Sequence, residues 1–442
     1  MTMGELLVGA VRRNITPPVG ATMAGYAGRD HGAEGVHDEL WLRALFLCDG
    51  TNCAALLCRD LLYTPNEEMD LLAETFERRL GLTREQIFLA NTHTHSGPRT
   101  DYREDSDNRA YVAALAEICA GAVEEARAKA RPATLSVAQR PVQAGVNRRE
   151  LRDGNIVLGV NLEGPCDRLV DVLSFTDAGS GQPLATLFRH AVHGVVMGSN
   201  NYLISGDAPG AAEAFVEANL PGVAGFLAGA SGNINAHPRE ALEHVALLGR
   251  RLGAAAVQGT TEVGEPLEDA TIVTLRHEFK LPVGALPPED EVRAAVEDLA
   301  ARMEAVEQGG SDPDLSKWQL ERNLRHARAQ LEAIESGQGV SGLPIFAQVL
   351  AIGEVALVGW PAEVFFEIGE QVRAGSPFAT TLPVTHVSGA VGYIPIASAF
   401  DEGGYEITAR AHHAGLGITA EAEGVMVRET LAALETAVKG VG

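Results

Sequence analysis

The sequence predicts an α/β fold in which mixed, largely antiparallel sheets are built from hairpins, covered by helices and interrupted by one inserted helical hairpin. Three observations carry that prediction. Paired apolar runs joined by tight-turn residues recur three times, alanine-rich stretches of helical period fall between them, and one charged segment is patterned as two amphipathic helices in succession. No composition break, low-complexity linker or internal repeat divides the chain, so residues 1–442 are expected to form a single domain.

In chain order, LRALFLCDGTNCAALLCRDLL turns at Asp49-Gly50 and reads as an antiparallel hairpin. Residues 107–129 carry an apolar alanine-rich face and stop before Pro132, as a helix should. LVDVLSFTDAGSGQPLATLFRHAV is a second hairpin with Gly179 and Gly181 in its loop, and 239–257 a second helix. Residues 286–337 hold two charged amphipathic patterns around a Gly-Gly-Ser-Asp-Pro loop, the expected helical hairpin insertion. FAQVLAIGEVALVGW turns at Gly353, and a helix over 421–438 closes the chain. Regular strand-helix alternation is absent from this order, which argues against a parallel barrel.

Composition narrows function. With 46% hydrophobic and 21% charged residues the chain is an ordinary globular protein, and its net charge of −24 disfavours phosphate backbones and anionic membrane surfaces. Nucleic acid is therefore excluded as a partner, stable membrane association is not expected, and small neutral or cationic partners fit better. A homo-oligomer stays open. The opening MTMGELLVGAVRRNITPPVG lacks the order and length of a secretory segment, no apolar run nears the roughly 20 residues that span a bilayer, and no apolar segment looks built to dock on one. The expected location is cytoplasmic. The five cysteines, Cys48, Cys53, Cys58, Cys119 and Cys166, form no C-x-x-C pair and are expected as buried free thiols.

The chemistry starts at NTHTHSGP, residues 91–98, where an apolar run ends in two imidazoles. In an extended chain, positions i and i+2 leave on one side, so His93 and His95 would present a metal-ligating pair where Ser96-Gly97-Pro98 turns the chain. Two hydrogen-bonded surface histidines are the alternative. Similar chain positions offer His190 and His193 in LFRHAVHG, Glu363 after Trp360-Pro361, and Tyr393 and Tyr405 among glycines. Asp60 and Asp207 read as structural, and His237 and His412-His413 as surface or rim positions.

The ordered segments ITPPVGATMAGY, GVHDELWLRALFLCDG, NTHTHSGP, VNRRE, HGVVMG, ISGDAPG, GASGNIN, WPAE and GYIPIASAFDEGGYE resemble the zinc-dependent catalytic domain of the neutral/alkaline ceramidase family. The likeness runs from about residue 6 to 437. It implies Zn2+ as cofactor, with His93, His193, Glu363 and Tyr393 as its ligands, and His95, Arg148 and Tyr405 around the reaction centre; His190 becomes a supporting or core histidine. Asn235 falls where long members have their proposed nucleophilic serine, and an amide cannot serve as that nucleophile. Ser231 is nearby but sits in no G-x-S-x-G elbow. The resemblance is closest to short bacterial members without the C-terminal immunoglobulin-like domain. It implies a zinc-dependent hydrolase that cleaves an amide (N-acyl) bond of a small acyl substrate other than ceramide, through a metal-activated water. The alternatives are the same metal site used as an esterase, lyase or isomerase, and a non-catalytic metal- or ligand-binding protein.

Overall fold

The computed structural model describes residues 5–102, 107–262, 264–337 and 339–441; Met1 to Gly4, part of the N-terminal segment read above, lie outside them. Two sheets face each other. The larger runs, edge to edge, Val223–Ala228, Pro183–His190, Leu169–Asp177, Arg131–Pro141, Leu7–Asn14, Trp41–Cys48, Cys53–Arg59 and Ile87–Asn91. The smaller runs Ile272–Leu281, Leu343–Ile352, Val355–Gly359 and Thr380–Val384. All three expected hairpins are present and antiparallel. Within these two sheets, parallel pairing is confined to the two ends of the larger and one end of the smaller.

Burial explains why the strands read as continuous apolar runs. Along Trp41–Cys48, Leu45 and Leu47 enter the core between the sheets while Leu42, Ala44 and Phe46 face the helices Asn66–Leu80 and Arg109–Ala128. Along Leu343–Ile352, Leu350 and Ile352 join the same central core and Val349 and Ala351 pack on Phe366–Gly375 and Ala422–Val438. The helices Asp207–Asn219 and Leu242–Thr261 cover the remaining face of the larger sheet. The inner strands are thus buried on both faces, and along them the usual in-out alternation disappears. The insertion is two helices, Glu289–Glu307 and Lys317–Glu335, with a small core of their own around Met303, Leu320 and Leu324.

Two expectations are corrected. Cys48 and Cys53 are disulfide-bonded, because the Asp49–Asn52 turn sets them directly opposite each other with Cα atoms 4.1 Å apart. Cys58 and Cys119 are buried free thiols as expected, and Cys166 is half-buried. An apolar surface segment does exist: the hairpin Gly145–Arg152/Asn155–Asn161 and the loop after it expose Leu151, Leu158, Val160 and Leu162. Its polar interleaving hid it in the sequence. Among the described residues no helix is long and apolar enough to cross a membrane.

Candidate metal centre

The site lies at the rim where strands end. His93 follows Ile87–Asn91, His193 follows Pro183–His190, Asn235 follows Val223–Ala228, and Glu363 follows Val355–Gly359. These are members of the parallel pairs, whose carboxyl ends open on a common crevice. Backbone pairing locks the segments together: His95 N–H donates to Gly194 O, His193 bridges Asn235, Arg148 N–H donates to Asn233 O, and Glu363 pairs with Tyr393. Glycine makes one of these approaches possible, since a Cβ on Gly232 would meet Glu363 O at 2.6 Å.

The side chains converge. Nε2 of His193 is 3.1 Å and Nε2 of His93 3.6 Å from Glu363 Oε2, and Nε2 of His95 is 3.3 Å from that of His93. The ligating atoms of His93, His95 and His193 all lie within 4.8 Å of one another. His93 and His95 do not meet through an extended strand, as the i, i+2 reading supposes. His93 takes a left-handed backbone, φ 61°, and its ring stands edge-on to that of His95 at 4.9 Å. Such a conformation is unfavourable for a residue with a Cβ and is found where surrounding structure imposes it.

The opposite ring nitrogens decide what the cluster can hold. Nδ1 of His93 contacts Leu62 O at 2.8 Å, that of His95 contacts Gly25 O at 3.1 Å, and that of His193 contacts Ile234 O at 3.1 Å. A carbonyl only accepts, so each Nδ1 carries the proton, and in the neutral imidazole each Nε2 then turns its lone pair inward. Three lone pairs and a carboxylate facing one another are satisfied by a cation between them. Burial, followed by the charge of Arg148, pushes His193 down to about 4. Burial and the neighbouring rings hold His95 well below its ordinary value. Burial alone would raise Glu363, but its closeness to His193 and His93 outweighs this and keeps it well below the carboxylate range. Neutral imidazoles and an ionised carboxylate are the forms that bind a divalent metal.

Around this centre the structure places the other predicted residues. Burial raises the Tyr393 hydroxyl, which is within reach of both Arg148 and Glu363. Arg148 donates through Nη1 to Asn235 Oδ1 at 3.3 Å and through Nε to Glu406 Oε1 at 2.7 Å, and its Nη1 lies 3.3 Å from His193 Nε2. Its buried Nη2 has no partner among the described residues. Tyr405, exposed at the mouth, sets its ring edge-on to Tyr393 at 5.6 Å. All eight predicted residues therefore meet in one crevice. His190 stays outside it as a buried histidine on Leu169 O, and Ser231 is buried with no partner for its hydroxyl among the described residues. Asp60 pairs with buried Arg43, and Asp207 accepts from the amides of Val196 and Met197, holding the loop after His193. His237 is exposed, and His412 stacks on His326 at the rim.

Sequence reading missed two members. His386, buried and left-handed at φ 59°, stacks flat on His93 at 3.6 Å, and its Nε2 has no partner among the described residues. Its signal was available: like His93, it stands just past the end of an apolar strand. Glu406, fully buried, pairs with Arg148 and Arg149.

Comparison with known proteins identifies the family and the fold. The family model "Neutral/alkaline non-lysosomal ceramidase, N-terminal" matches residues 6–236, just over half of the chain. Neutral ceramidase 2 of Arabidopsis thaliana is 26% identical over 235 residues, which is 49% of this chain but only 30% of the relative's length. The crystal structure of neutral ceramidase from Pseudomonas aeruginosa superposes with a TM-score of 0.71 at 19% identity, covering 98% of this chain and 75% of that one. A ceramidase complexed with C2 superposes at 0.73 with the same identity and coverage. At that identity the structural likeness establishes the fold, and the family model establishes descent: the chain belongs to the neutral/alkaline non-lysosomal ceramidase family.

Proposed function

We propose that the protein is a zinc-dependent hydrolase of an amide bond in a small acyl compound other than ceramide. His93, His193, Glu363 and Tyr393 hold the metal, and His95, Arg148, Tyr405 and Asn235 face the substrate. The observation that carries this reading is the orientation of the imidazoles, each pinned through Nδ1 to a backbone carbonyl so that the Nε2 atoms converge beside Glu363. Imidazole nitrogen with carboxylate and phenol oxygen is a donor set suited to zinc. Bound there, zinc would supply Lewis acidity and bring the pKa of a water to about 7.

The protein's own groups do the rest. Arg148 has an unspent N–H at Nη2 and, with the Tyr405 hydroxyl, is placed to hold the oxygen that gains charge as the amide carbonyl is attacked. His95, half-buried and held neutral, is suited to accept or return a proton at Nε2. Asn235, fixed by Arg148, orients the substrate through its amide. A side-chain nucleophile at that position is ruled out, which favours attack by water.

Metal analysis and turnover on a panel of N-acyl amines and N-acyl amino acids test the reading. About one zinc per chain in the wild type, none in His93→Ala, and amide cleavage only by the former are expected. His93→Ala with full zinc content would overturn the ligand set; zinc-loaded wild type that cleaves no amide but cleaves an ester would move the reaction to that bond.

A further inference from the structure

We propose that the substrate carries a carboxylate next to the scissile amide, as an N-acyl amino acid does, and that Arg322 and Arg410 bind it in a pocket beside Tyr405. The inference rests on amide hydrolysis at the histidine centre and adds the substrate class. The pocket is a cavity of about 270 Å³ whose polar lining includes Arg322, His326, Thr408, Arg410 and His412. It adjoins the reaction centre through the chain itself. Thr408 ends the single helical turn Tyr405–Thr408, and Val391, also on the wall, lies two residues before Tyr393. The far wall is the inserted helix Lys317–Glu335, which gives that insertion a use.

The charge is one-sided. Among the described residues, neither Arg322, Arg325 nor Arg410 pairs with a carboxylate: Arg322 lies over Trp318 and donates to Asn323 Oδ1, and Arg410 donates through Nε and Nη1 to Ile418 O and Ile407 O. Burial lowers both Arg322 and Arg410, and at Arg322 the neighbouring Tyr405 works against that shift. His326, pushed down to about 4 by burial and then by His412 and the arginines, stays neutral and contributes a flat wall. In a chain with 59 acidic and 35 basic residues, a half-buried pocket with two arginines and no acid runs against the average. An entering carboxylate would restore the interactions that desolvation has removed, and the planar guanidinium suits it in geometry.

The other side of Tyr405 is apolar. A Cβ on Gly404 would touch Ile156 at 2.9 Å, and Ile156 pairs with Leu151 across the exposed hairpin, on the face that also carries Leu158. Tyr405 therefore stands between an apolar strip and a cationic pocket. An amphiphile with its acyl chain on the hairpin and its carboxylate on the arginines would lay the amide across the centre.

The test compares N-octanoylglycine, N-octanoylglycinamide, which lacks only the charge, and N-octanoylaminomethylphosphonate, by calorimetric binding and by turnover on zinc-loaded protein. The acid should bind at least tenfold tighter than the glycinamide. Arg322→Gln, a half-exposed helix position, should remove that preference, and Arg410→Lys should reduce it. Equal binding of acid and glycinamide, binding of neither, or an Arg322→Gln variant that weakens both alike would overturn the inference; tenfold tighter binding of the phosphonate would overturn its assignment to a carboxylate. A charge preference without cleavage would sustain the pocket and refute amide hydrolysis, whereas cleavage without preference would do the reverse.

Discussion

Arg148 is the residue on which the substrate side of the crevice depends. Its guanidinium touches His193, Asn235 and Glu406 at once and has one nitrogen unspent. Arg148→Gln is expected to leave zinc content intact and to lower kcat/KM about 10²–10³-fold, the usual cost of losing a charge-stabilising donor; loss of metal along with rate would make Arg148 a structural support of His193 instead. At this scale the sequence was informative where chemistry is local. His93, His193, Glu363 and Tyr393 stand out because polar residues interrupt apolar runs or glycine-rich turns. It was uninformative where tertiary packing supplies the partner. Nothing near Val384 signals that His386 will lie flat on a ring almost 300 positions earlier, and nothing in NTHTHSGP announces the left-handed turn at His93.

At the level of elements, hairpins were legible because antiparallel neighbours share a turn, and the amphipathic insertion because its period repeats. The parallel pairs at the sheet ends were not, since they join strands with long intervening segments. Those are the pairs that create the crevice, so the site's position was less readable than its residues. The loop Gly229–Ile234 shows how tightly the elements fit: Gly232 N–H donates to Val364 O, and a side chain on Gly232 would collide with the backbone that carries Glu363. Gly232→Ala should displace Glu363 and weaken zinc binding while the fold persists by circular dichroism. Unchanged affinity in a metal titration would show that the loop gives way. Elsewhere the larger sheet is fastened to the helix Asp207–Asn219 by buried Arg43, which meets Asp60, Glu213 and Glu217. Arg12 also pairs with Glu217, but removing Arg43 strands buried Asp60 and Glu213, so Arg43→Ala should cost about 3–5 kcal/mol in denaturant unfolding.

Across the whole molecule, one core joins both sheets, because Leu45, Leu56 and Phe88 pack with Ile272, Leu350 and Leu382. The proposed metal centre spans the same divide: His93 and His193 come from the larger sheet, Glu363 and Tyr393 from the segments that follow strands of the smaller. Metal binding there would couple to sheet packing, and we propose that residues 1–442 unfold as one unit. Zinc at a thousand times its dissociation constant adds about 4 kcal/mol to the folded state. With an unfolding entropy of about 2 cal/mol/K per residue, the 442 residues convert that into a rise of roughly 4 °C in Tm. Calorimetry should show a single transition that moves up by this amount with zinc in the wild type and stays put in His93→Ala. Two transitions, only one of them sensitive to zinc, would mean that the sheets unfold separately and that the centre belongs to one of them.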